Sequence, residues 1–73
     1  MKGRNNKMEN TVVNHAKLII GNASILVQFD DKDNTEIVIK KRKTWSNKKY
    51  VGKALEETGF KPSWDFKYDW ELR

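Results

Sequence analysis

From Trp64 to Leu72 the chain alternates without a break: Trp64, Phe66, Tyr68, Trp70 and Leu72 are large and apolar, while Asp65, Lys67, Asp69 and Glu71 between them are charged. A period of two marks a β-strand with one buried face. At about 100° per residue a helix would set Phe66 and Trp70 nearly opposite Trp64, Tyr68 and Leu72, so a C-terminal strand is predicted.

The same reading applies upstream. Thr11 to Ile20 is rich in β-branched and aliphatic residues and runs into Gly21-Asn22, a dipeptide suited to a two-residue hairpin turn. Closing the loop there sets Ile20 opposite Ala23, Leu18 opposite Ile25, Ala16 opposite Val27 and Asn14 opposite Phe29. One face then carries Val12, Ala16, Leu18, Ile20, Ile25, Val27 and Phe29, and the other carries Val13, His15, Lys17, Ile19, Leu26 and Gln28. A second hairpin, with Phe29 opposite Ile37 and Val27 opposite Ile39, makes its loop from Lys32 to Asn34 and uses Asn34 for the left-handed position. Its second strand, Thr35 to Lys43, adds Ile37 and Ile39 to the core face.

A helix follows. Ser46 is a good N-cap, Trp45 and Tyr50 have the spacing of a hydrophobic staple, and Val51, Ala54, Leu55 and Thr58 form a core-facing stripe. Gly59 supplies a left-handed C-cap, Phe60 can turn back on Leu55 as in a Schellman motif, and Pro62 ends the helix. The expected fold is α+β, a two-layer βββαβ unit. A three-stranded antiparallel meander, one helix and a C-terminal strand form a mixed four-stranded sheet, and the order 3-2-1-4 leaves a lysine-bearing third strand at one edge. In topology alone this order of elements resembles the opening of the ribonuclease H fold and the small HicB-type antitoxin domains. Residues 1–10 are polar and aperiodic and are expected to be a flexible tail to a single small domain at 11–73.

Charge changes the picture more than length does. The net charge of the 73 residues is +5, but residues 40–53 alone carry +7. Such local concentration of one sign attracts a partner of the other. Lys40, Lys41, Arg42, Lys43, Lys48, Lys49 and Lys53 would contact phosphates near the exposed amides of a helix N-terminus. Lys17 and Gln28 would extend the patch across the open sheet face, with Trp45 placed to stack on a base. The expected function is therefore a small non-catalytic nucleic-acid-binding or regulatory protein that recognises nucleic acid or another polyanion. The alternative is a small inhibitor or adaptor of the kind carried by mobile elements. It would block another protein, such as a nucleic-acid-processing one, through the basic surface or the aromatic strand.

One helix of this length cannot cover all the ring surface of the last strand. Trp64, Phe66, Tyr68, Trp70 and Leu72 are expected to supply core against Val51, Leu55 and Phe60. The surplus makes Trp64, Tyr68, Trp70 and Leu72 candidates for a protein interface, a homodimer contact included. Catalysis is not expected. There is no cysteine, the single histidine, His15, has no nucleophile or carboxylate at a recognisable spacing, and no glycine-rich phosphate loop is present. Asp30, Asp31, Asp33 and Glu36 lack the spacing of a calcium loop and read as a turn. No cofactor, metal or small-molecule substrate is implied. No apolar run has the length of a membrane span and the first residues lack a signal-peptide core, so a cytoplasmic location is expected.

Overall fold

A computed structural model describes residues 11–30 and 35–73. Its elements are β1 (Val12–Ile20), β2 (Ser24–Phe29), β3 (Glu36–Lys40), α1 (Asn47–Thr58) and β4 (Lys61–Leu72). They form one four-stranded sheet of order β3-β2-β1-β4, antiparallel except for the parallel β1/β4 pair, with α1 on one face. The architecture and strand order are those read from the sequence. Between the layers lie Val13, Ala16, Leu18, Ile20, Ile25, Val27 and Phe29 of the sheet, with Tyr50, Val51, Ala54 and Phe60.

Both hairpins are offset by two residues from the expected register. Ile20 pairs with Ile25, Leu18 with Val27 and Ala16 with Phe29, while Val27 pairs with Ile37 and Ile25 with Ile39. An offset of two keeps every side chain on its face, so the hydrophobic pattern is blind to it. The first loop spans Gly21 to Ser24, closed by the Gly21 amide on the Ser24 carbonyl at 2.9 Å. A two-residue primed turn would need positive φ at Gly21. Gly59 is the one positive-φ glycine among the described residues. The proposed left-handed Asn34 and the Lys32 to Asn34 loop lie outside the described residues.

A register shift between Val13 and His15 moves one side chain to the other face. Val13 is thereby buried and Val12 exposed, the reverse of the expected assignment. The irregularity is larger on β4: Val13 pairs with Pro62 and His15 with Lys67, so Ser63 to Phe66 stand against Asn14 alone. Ser63 Oγ donates to Asp65 Oδ1 at 2.7 Å inside this excursion. Trp64 sits on it, 96% exposed, and is not part of the core. Within β4 the alternation of 64–72 thus runs in step with β1 only from Lys67 onward, where Tyr68, Trp70 and Leu72 pair with the buried Ala16, Leu18 and Ile20.

The helix keeps its predicted ends. Ser46 Oγ accepts from the Lys49 amide at 3.2 Å, and Gly59 at φ 80° donates to the Leu55 carbonyl at 2.7 Å. That single bond is the simple αL cap rather than the two-bond Schellman motif. The Phe60 amide goes instead to Thr58 Oγ1, and the Phe60 ring meets Phe29 edge-on with centroids 5.4 Å apart.

Candidate functional site

β3 stops at Lys40, three residues before the predicted end. The Lys41 amide makes the last ladder bond, to the Ala23 carbonyl at 2.9 Å. Beyond it the backbone of Arg42 is taken over by Tyr50, whose hydroxyl accepts from the Arg42 N–H and donates to the Arg42 carbonyl. Tyr50 is only 2% exposed. A buried ring in the first turns of α1 therefore fixes the chain leaving the sheet. The Trp45 ring packs against Tyr50 with centroids 5.2 Å apart, which is the staple expected from the spacing.

This arrangement gathers cations around one indole. The Arg42 guanidinium lies 5.1 Å from the Trp45 ring centroid, Lys49 Nζ 5.7 Å and Lys53 Nζ 5.9 Å. Arg42 thus turns toward the helix, not out from the helix-free face as a longer β3 would have placed it. Each such contact is worth about 0.5–1 kcal/mol at an exposed site, which offsets part of the mutual repulsion of the three charges. Lys40, Lys41, Lys43 and Lys48 are exposed around them. Lys53 has an ion pair with Glu56 at 3.7 Å, and among the described residues no carboxylate comes that close to the other six cations. The first turn of α1 has no acidic residue. Its Lys49 and Tyr50 amides bond to Ser46, whereas those of Asn47 and Lys48 have no protein partner among the described residues. The surface can therefore hold an anion of extended form through several separate charges, with the positive end of the helix dipole adding to them.

Lys17 and Gln28 lie elsewhere, on the helix-free face, and both are engaged by acids. Lys17 Nζ is 2.8 Å from Glu71 Oε1 and Gln28 Nε2 donates to Glu36 Oε2 at 2.8 Å. His15 Nε2 is 2.9 Å from Asp69 Oδ2. The hydrogen bond and charge of Lys17 hold the Glu71 carboxyl below its ordinary value. His15, Lys17, Gln28, Asp30 and Glu36 line a shallow hollow of about 440 Å³ whose charge is mixed. The sequence reading missed these pairs, although the odd positions Lys67, Asp69 and Glu71 fall beside His15, Lys17 and Ile19 once β4 is set next to β1.

The four candidate interface residues are not equivalent. Tyr68 is half-buried against the core, whereas Trp70 is 55% exposed, Leu72 73% and Trp64 almost wholly. Among the described residues no cluster of three metal-ligating side chains occurs, and no helix is long and apolar enough to cross a membrane. Compared with family models, curated proteins and solved structures, the chain matches none.

Proposed function

We propose that this chain is a small non-catalytic protein that binds nucleic acid through the phosphates. The carrying observation is the cation cluster: Arg42, Lys49 and Lys53 around Trp45, with Lys40, Lys41, Lys43 and Lys48 beside them, and Tyr50 holding the backbone from which four of the seven project. Phosphate contacts give affinity without sequence preference, so the recognition is of backbone and not of bases. Trp45 presents its face to cations, which assigns it to organising the surface; any stacking on a base would use what those cations leave open. Lys17 and Gln28 contribute little, since their polar ends are already satisfied.

The test is fluorescence anisotropy of labelled single-stranded DNA, duplex DNA and RNA over a salt series. Log K should fall with log salt at a slope of about −3 to −5, the signature of several neutralised phosphates. Lys48→Ala with Lys49→Ala should flatten the slope by about 2 while Lys17→Ala leaves it unchanged. Absence of binding by all three nucleic acids at low salt would refute the reading.

The uncovered Trp70 and Leu72 support a second reading, an adaptor or inhibitor that docks on another protein. There Trp70→Ala would abolish partner capture while leaving the unfolding transition cooperative.

A further inference from the structure

Proteins that hold single-stranded nucleic acid by its backbone also stack successive bases on aromatic side chains, each base worth about 1–3 kcal/mol. The chain has three tryptophans, two tyrosines and three phenylalanines, all among the described residues, so every ring can be placed. Phe29, Tyr50 and Phe60 are buried, and Phe66 and Tyr68 pack against the core. Trp64 and Trp70 are exposed, but they stand on β4, three strands from β3 and about 14 Å away at ordinary strand spacing. Carboxylates neighbour both in the chain: Asp65 follows Trp64, and Asp69 and Glu71 flank Trp70. A phosphate backbone led to either ring would meet charge of its own sign.

Only Trp45 stands within the cation cluster, and its ring is already engaged. It is half-buried against Tyr50 and the core, and the charges of Arg42, Lys49 and Lys53 all lie over it within 5.9 Å of its centroid. A stacked base would have to displace the cations that hold the phosphates. The cluster therefore offers dense charge without a platform for bases. We infer that it takes double-stranded nucleic acid in preference to single strands, gripping the phosphates and leaving the bases in their own stack. This rests on the phosphate-binding reading above and adds the form of the nucleic acid. Charge density favours the same form: a duplex carries one charge per about 1.7 Å of axis, against about 3.4 Å along one of its strands. Each phosphate neutralised on a duplex also releases more counterion, about 0.9 against about 0.7 on a single strand. A duplex is already ordered, whereas a flexible strand gives up conformational freedom on binding, and here no stacking offsets that cost.

The test is anisotropy of the full chain with a labelled DNA duplex and a labelled RNA duplex, each compared with its own unpaired strand at equal length and salt. Each duplex should bind about fivefold or more tightly than its strand near 0.1 M salt, with a steeper salt slope, in the ratio of about 0.9 to 0.7 where the same cations are engaged. Duplexes of unrelated sequence should bind alike, because no base is read. Trp45→Leu, which keeps an apolar contact for Tyr50, then separates the two roles of the ring. If Trp45 only organises the cations, the variant weakens duplex and single strand by the same factor and the preference stands. A single strand that binds as tightly as its duplex, or a Trp45→Leu loss confined to single strands, would overturn the inference while leaving phosphate binding intact. Absence of binding by duplexes and strands alike would overturn it together with the reading on which it rests. The wild-type comparison needs no variant, so it decides the preference even if Trp45→Leu fails to fold.

Discussion

Removing one oxygen, in Tyr50→Phe, should cost this protein more than most surface substitutions. The ring that fills the core and meets Trp45 is retained, so no cavity forms. What is lost is the pair of hydrogen bonds to the Arg42 N–H and carbonyl, both part-buried. A net value of about 1 kcal/mol for each bond gives a loss of about 2 kcal/mol. For a domain of this size that is a fall of roughly 8–16 °C in Tm. With m of about 1 kcal/mol/M it is a fall of roughly 2 M in the urea midpoint. Urea unfolding followed by circular dichroism measures it, and m should not change because the buried surface does not. A loss below about 0.5 kcal/mol would show that water replaces the hydroxyl, and that Tyr50 does not fix the turn. Tyr50→Phe should also accelerate exchange of the Arg42 amide specifically, which a general loss of stability would not do.

Alanine should act with opposite sign at two glycines of the helix region. Gly59→Ala forces φ 80° on a residue with a Cβ and should destabilise by about 1–2 kcal/mol, whereas Gly52→Ala, with no atom within 4 Å of the added carbon, should stabilise by about 0.5–1 kcal/mol; thermal melts check both. Trp64→Ala should leave the unfolding midpoint within about 0.5 kcal/mol of wild type measured at low protein concentration, while Leu18→Ala, at a fully buried position, should cost about 2–5 kcal/mol. Glu71 has a folded-state value below its unfolded one, so its contact with Lys17 stabilises above the ordinary carboxylate range and is lost as pH falls through the depressed value. Lys17→Met should move the Glu71 titration upward in carboxyl-detected NMR and remove that part of the acid sensitivity; an unmoved titration would mean the ion pair is not formed in solution.

The elements were legible because each is written by local chemistry: Ser46 and Gly59 at the helix ends, alternation in the strands, and lysines on the edge that β3 occupies. What escaped was set by contacts distant in sequence. The two-residue offsets leave no trace in a pattern of period two. The early end of β3 depends on a hydroxyl eight residues away, at Tyr50, in place of a ladder partner. The bulge at Ser63 to Phe66 breaks an alternation that is perfect in the sequence, since backbone pairing with β1 and not polarity decides where β4 rejoins the sheet. In the candidate site, the charge density of residues 40–53 was visible. The convergence of Arg42, Lys49 and Lys53 on Trp45 needed the turn that Tyr50 makes, and the engagement of Lys17 by Glu71 needed the parallel pairing of strands that lie at opposite ends of the described chain.

The position of β1 between two neighbours divides its amides by parity. His15 accepts from Asp30 and Gly21 bonds Ser24, so the odd positions bond to β2; Ile20 accepts from Arg73, so the even positions bond to β4. Opening of the β1/β2 hairpin and undocking of β4 are therefore recorded separately within a single strand. In hydrogen–deuterium exchange, Lys17 and Ile19 report the first event and Leu18 and Ile20 the second. If β4 leaves the sheet alone, protection along β1 should fall at every other residue.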